Sequence, residues 1–195
     1  GKIQVVFNNG ALSLRYNGRL LTSAQGAYVS LFLPSINQWC PSRAFSWRVK
    51  EVGDDRIVAE GSYGELMLQE WRIELKNGSL KLDVRAEGDI AKEPHVDLML
   101  VSGYREFQTL EDKDEFPVFS HKKEWSALGL KNQPVGIVGL LPDKSSNLPY
   151  LFLIQEKEAM PMSLLNTGYE DEARVVQIPF SRGFSLAVRF DFISG

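Results

Sequence analysis

The tightest constraint on this chain is the dipeptide Asn77-Gly78, set between two runs that alternate apolar and charged residues. A type I′ turn needs positive φ at both central positions, and Asn-Gly is the pair that accepts this most readily. With the turn placed there, the register follows. Leu75 faces Leu80, Ile73 faces Leu82 and Trp71 faces Val84. On the opposite face Glu74 meets Lys81, Arg72 meets Asp83 and Glu70 meets Arg85, each pair of opposite sign. A slip of one residue would set charges against apolar side chains. The expectation is an antiparallel hairpin with one packed and one wet face, its cross-strand pairs contributing about 0.2–1 kcal/mol each.

The same pattern recurs along the chain. Asn8-Asn9-Gly10 separates residues 3–7 from 11–16, and Asn17-Gly18 leads at once into 19–21. Gly53-Asp54-Asp55 separates 45–52 from 56–60, and further strands are expected at 96–104, 135–141, 150–155, 174–178 and 184–192. The last alternates Phe184, Leu186, Val188, Phe190 and Phe192. About a dozen strands with turns at short intervals predict an all-β antiparallel sandwich. Helix is expected at most as a short turn over 122–128, stopped by Gly129. No linker or low-complexity tract divides the chain, so residues 1–195 read as a single domain. The leading glycine raises the prospect that it was excised from a larger protein.

Composition excludes several functions. Lys and Arg total 22 against 25 Asp and Glu, a net charge of −3, with Lys122-Lys123 the only adjacent basic pair. Phosphate binding needs clustered positive charge, so nucleic acid is not an expected partner. The longest apolar run, 135–141, is far short of a membrane span. The single cysteine, Cys40, rules out an intramolecular disulfide and a CxxC zinc cluster, and reads as a buried, inert thiol. No phosphate-binding loop, GxSxG, HExxH or dinucleotide fingerprint is present, so no cofactor or metal is expected.

Chemistry is therefore left to the long connections, at 34–43, 109–130 and 158–171, the last holding Met160 and Met162. The stretch NQWCPSRAFSW runs from Asn37 to Trp47. Phe45, Trp47 and Val49 alternate and share one face, with Trp47 in the core. Trp39 sits outside any period, between amides and a Cys-Pro break. A sugar ring offers an apolar C–H face and a rim of hydroxyls, which an aromatic plate and planar polar groups can hold. Asn37, Gln38, Trp39 and Arg43 supply that set; the alternative is that Trp39 folds back as a lid on the sandwich. The second cluster contains His121 and Trp125: a general base or a solvated imidazole, and a second plate or a loop anchor. Arg105-Glu106 reads as a structural pair. The acidic run 111–115 reads as a solvated loop in preference to a calcium site, and Glu156 and Glu158 as neighbours on a wet strand face.

Gly10-Ala11-Leu12-Ser13-Leu14, Asn17-Gly18-Arg19-Leu20-Leu21, Gly26-Ala27-Tyr28-Val29 and the strand carrying Trp71-Arg72-Ile73-Glu74-Leu75 with its Asn-Gly return resemble the galactose mutarotase-like supersandwich. This is the large antiparallel sandwich of aldose epimerases and of accessory domains in glycosidases and polysaccharide lyases. The resemblance implies a carbohydrate-related role. The aldose epimerase Asn-His is missing, since His95 follows Pro94 and His121 follows Ser120, and the chain is shorter than a full epimerase. No catalytic residue is carried over. The resulting expectation is a non-catalytic carbohydrate-binding or accessory domain. Its partner would be an oligo- or polysaccharide, its companion a catalytic domain of the same polypeptide, its location periplasmic or extracellular. Two alternatives remain: an epimerase-like or hydrolytic sugar enzyme using His121 with a carboxylate, and an assembly module with no small ligand.

Overall fold

A computed structural model describes residues 2–109, 113–115, 126–127, 136–166 and 173–191. In chain order the strands are β1 (Ile3–Asn8), β2 (Ala11–Tyr16), β3 (Arg19–Leu20), β4 (Thr22–Leu33), β5 (Gln38–Pro41), β6 (Ser46–Val52), β7 (Arg56–Tyr63), β8 (Met67–Lys76) and β9 (Ser79–Gly88). They continue with β10 (His95–Val101), β11 (Tyr104–Gln108), β12 (Lys113–Glu115), β13 (Ser126–Ala127), β14 (Ile137–Pro142), β15 (Tyr150–Gln155), β16 (Ser163–Asn166), β17 (Ala173–Pro179) and β18 (Gly183–Asp191). The first sheet runs β1-β2-β4-β10-β17-β16-β13, with β3 beside β2 and β5 beside β4. The second runs β12-β11-β14-β15-β18-β9-β8-β7-β6. Every strand pairing is antiparallel, and the fold is an all-β sandwich.

The core lies between the sheets and is built from alternation. Val29, Leu31 and Leu33 of β4 and Val96, Leu98 and Leu100 of β10 point inward from the first sheet. Trp71 and Ile73 of β8, Leu80, Leu82 and Val84 of β9, and Leu186 and Val188 of β18 meet them from the second. The central hairpin has the register that its turn predicts, from Glu70 opposite Arg85 to Leu75 opposite Leu80. Asn77 and Gly78 both hold positive φ, 53° and 72°. The same turn chemistry recurs at Asn9-Gly10 and Asn17-Gly18, where all four φ values are positive.

The charges on the wet face pair differently from the expected facing partners. Glu70 takes Arg72 of its own strand at 3.0 Å and Lys50 at 3.2 Å. Glu74 lies 3.7 Å from Arg56, and Lys81 lies 3.2 Å from Glu156. Long exposed side chains reach neighbouring strands as readily as the residue opposite, and the gain differs little between partners.

Three connections and parts of several strands also differ from expectation. Within 34–43, residues 34–37 make a turn, Gln38–Pro41 is a strand, and Ser42–Ala44 is a single 3₁₀ turn. Within 158–171, β16 forms and Met162 is fully buried, so that methionine is core. The strand expected over 96–104 breaks at Ser102-Gly103, where β10 gives way to β11. The strand at 150–155 stops at Gln155, so Glu156 and Glu158 do not share a strand face. Residues 113–115 and 126–127 are strands inside the connection 109–130; the rest of the expected helical turn and of the acidic run lies outside the described residues. Val49 is 47% exposed although it keeps its register opposite Ala59: β6 is an edge strand of the second sheet and exposed along nearly all its length, and a bulge follows between Val49 and Glu51. Trp47 is half-buried, packed edge-on between Phe7 and Trp71 at centroid distances of 5.3 and 5.2 Å.

Candidate functional site

Strand β4 organises the outer face of the first sheet, the face away from the core. Along one side it pairs with β10, setting Ser30 opposite His95 and Tyr28 opposite Asp97. On the other side its C-terminal half pairs with β5, setting Phe32 opposite Trp39. Alternation turns Val29, Leu31 and Leu33 inward, so Tyr28, Ser30 and Phe32 turn outward. By the same rule His95 and Asp97 leave β10 on the outer face, while Val96 and Leu98 enter the core.

These positions assemble an aromatic and polar strip. The Trp39 ring lies 5.6 Å from Phe32, edge to face, and 5.1 Å from the His95 imidazole. Trp39 remains 45% exposed, whereas Phe32 beneath it is 7% exposed. His95 Nδ1 lies 2.9 Å from Asp97 Oδ2, yet that nitrogen makes no directed hydrogen bond. The oxygen sits off the ring N–H direction, so the contact is an ion pair when the imidazole carries both protons and a close polar approach when it does not. The other Asp97 oxygen accepts a hydrogen bond from Gln177 Nε2 at 2.9 Å, across the β10–β17 pairing. Asp97 is 5% exposed, a buried carboxylate hydrogen-bonded by Gln177 and lying against His95.

Two cations stack on the strip. The Arg43 guanidinium lies over the Tyr28 ring at 4.9 Å, and the Lys92 ammonium over Phe32 at 4.1 Å. Burial pushes the Tyr28 phenol above its ordinary pKa, the Asp97 charge adds to the rise, and the Arg43 charge opposes it. Arg43 is aimed by its neighbour Ser42, which is fully buried. The Ser42 hydroxyl donates to the Gly10 carbonyl at 2.6 Å and accepts from the Val29 N–H at 3.0 Å. Its backbone carbonyl accepts from Trp47 Nε1–H at 2.7 Å.

Of the residues singled out in the sequence, Trp39 and Arg43 enter this strip. Trp39 does so from a strand and not from a loop, and it does not fold back over the sandwich. Asn37 and Gln38 stand at the hairpin tip. Asn37 holds φ of 51° in the turn, which asparagine tolerates, and Gln38 opens β5 opposite Leu33. His121 and Trp125 lie outside the described residues. Cys40 is a buried free thiol whose pKa burial raises, as its inert reading requires. Arg105 is paired with Asp143 at 3.3 Å.

Sequence reasoning missed Tyr28, His95, Asp97 and Gln177. One signal was available: in His95-Val96-Asp97-Leu98, two ionisable residues alternate with core residues near the middle of a sheet. Three open depressions lie elsewhere and include no residue of the strip. One, of about 340 Å³, is lined by Glu70, Arg72, Lys81 and Asp83 among others. Glu70 and Arg72 pair with each other there, and Lys81 pairs with Glu156, on the wet face of the second sheet. A second, of about 500 Å³, is lined by Ile137, Phe152, Ile154, Arg189 and Phe190. The third, of about 460 Å³, lies between β1 and the β6–β7 turn.

No protein-family profile and no curated protein matches this sequence. Solved structures do. A galactose mutarotase-related enzyme from Lactobacillus acidophilus superposes with a TM-score of 0.56 at 8% identity, covering 98% of both chains. The Slr1438 protein from Synechocystis sp. PCC 6803 superposes with a TM-score of 0.60 at 9% identity, over 97% of this chain and 91% of that one. A heparan sulfate lyase from Pedobacter heparinus matches at 0.54 and 13% identity, over 96% of this chain but 31% of its own length. The chain has the galactose mutarotase-like sandwich fold.

Proposed function

We propose that this chain is a non-catalytic carbohydrate-binding module that docks an oligo- or polysaccharide across the outer face of its first sheet. In this reading it serves as an accessory domain of a polysaccharide-processing protein. The observation that carries the reading is Trp39. Its ring is 45% exposed yet fixed in orientation by Phe32 and His95. Leaving apolar ring surface in water forgoes about 25 cal/mol per Å², and a sugar's C–H face would recover it. Arg43, Gln177 and His95 provide polar groups that hydroxyls need. A row of outward side chains running along β4 suits an extended polymer. The names of two structural neighbours, a mutarotase-related enzyme and a heparan sulfate lyase, place the same fold in sugar chemistry, by analogy of fold. Glycan-array screening followed by calorimetric titration tests the reading. Trp39→Ala is expected to abolish binding while leaving the melting temperature nearly unchanged. Failure to bind any polysaccharide class would remove the support.

One observation favours an enzymatic alternative. The His95 imidazole lies 2.9 Å from a buried carboxylate, the neighbour that could orient a general base once the ring turned its N–H toward it. An epimerase or hydrolase would then use His95, not His121. Incubation with freshly dissolved aldoses, followed by polarimetry, would detect anomer exchange that His95→Ala removes. Wild-type exchange no faster than buffer rejects this alternative.

A further inference from the structure

We propose that the strip selects sugars that carry carboxylates, uronic acid residues, with Arg43 and Lys92 as the selecting cations; this rests on the sugar-binding reading of the same face. Both side chains are exposed, and among the described residues neither has an acidic partner within ion-pair distance. Lys50, Arg56, Arg72, Lys81 and Arg105 are by contrast paired with carboxylates. Arg43 and Lys92 are held instead by rings, Tyr28 and Phe32. Stacking fixes a cation without consuming its hydrogen-bond donors. A guanidinium lying on a ring keeps the N–H fork at its edge free for a planar carboxylate.

Spacing supports two contacts to one chain. Tyr28 and Phe32 lie four residues apart on the same face of β4, which puts their rings about 13 Å apart along the strand. Trp39 stands beside Phe32 and His95. A short oligosaccharide crossing the strip would meet one cation near each end and the indole on its way. The one carboxylate of the strip, Asp97, is buried and engaged by His95 and Gln177, so it presents little surface to repel an acidic ligand.

The test is a calorimetric titration of the full chain, at low and at physiological salt. The probes are a trimer of galacturonic acid and its carboxyl-reduced, uncharged counterpart. An exposed ion pair contributes a factor of about two to five in affinity, so two together are expected to favour the acidic trimer roughly tenfold at low salt. The advantage should shrink as salt rises and vanish in the Arg43→Gln/Lys92→Gln double variant, which is expected to bind the two trimers equally. Arg43→Lys, which keeps the charge and loses the fork, should retain part of it. Equal binding of the two trimers overturns the proposal and leaves the sugar-binding reading standing, as does a preference that survives the double variant. Binding of neither trimer overturns it too, and the glycan-array screen with Trp39→Ala then decides the sugar-binding reading separately.

Discussion

Ser42 joins parts of the molecule that are far apart in sequence. Its hydroxyl binds the β1–β2 turn at Gly10 and the middle of β4 at Val29, and its carbonyl holds the indole of Trp47. Ser42→Ala would leave a buried N–H and a buried carbonyl unpaired. We expect a loss of about 1–3 kcal/mol, read from urea denaturation. The Trp47 indole in turn lies against Gly61, where a Cβ would sit 2.6 Å from the ring. Gly61→Ala must displace the indole from its bond to Ser42. A loss of about 1–3 kcal/mol, with a change in near-ultraviolet circular dichroism, is the expected outcome. An unchanged denaturation midpoint in both variants would mean that this junction contributes little. Trp39 is the contrasting case: its ring is 45% exposed, and its removal should leave the fold intact.

Among the elements, the β8–β9 hairpin shows local chemistry deciding a large share of the second sheet. Its turn sets the register, and the alternation places Trp71, Ile73, Leu82 and Val84 against the first sheet. Replacing Asn77-Gly78 by Ala-Ala forces two side chains with a Cβ into positive φ, at about 1–2 kcal/mol per residue. Faster amide hydrogen exchange along β8 and β9 is the expected consequence. The wet face of the same hairpin responds to acid. The hydrogen bond from Arg72, with that from Lys50, holds the Glu70 carboxyl below its usual range despite an opposing contribution from burial. A depressed pKa stabilises the fold above the unfolded value and loses that contribution as pH falls through the folded one. Glu70→Gln should therefore flatten the stability curve between about pH 6 and about pH 3. An acid limb identical to wild type would show that the pair adds nothing net.

For the molecule as a whole, the outward row on β4 and β10 is a surface that exists only because the sandwich is assembled. One consequence is alkaline. Burial raises the Tyr28 and Tyr104 phenols above the ordinary value of 10.0, and Tyr104 also donates its O–H to the Pro149 carbonyl at 2.9 Å. The unfolded chain releases those protons first, so stability should fall as pH rises beyond that value. Ultraviolet titration should show late-ionising tyrosines, and Arg43→Gln should move Tyr28 later still, since it removes a charge that favours the phenolate. The strands and most turns were legible in the sequence because they depend on neighbours a few positions apart. Asn-Gly pairs accept positive φ, and alternation sorts apolar from polar side chains by face. The strand holding Trp39 was obscured because Pro34 and Pro41 bracket it and only four residues form it. Charge partners were obscured because long exposed side chains choose among near-equal neighbours. The sequence by itself thus determined the sandwich, its hairpin registers, and that Trp39 and Arg43 stand apart from the core pattern. Only the tertiary structure decided that they share a face with His95, Asp97 and Gln177. That neighbourhood arises where β4 pairs with β5 on one side and β10 on the other, and β10 with β17. Hydrogen bonding between strands distant in the chain leaves no local trace in the order of residues.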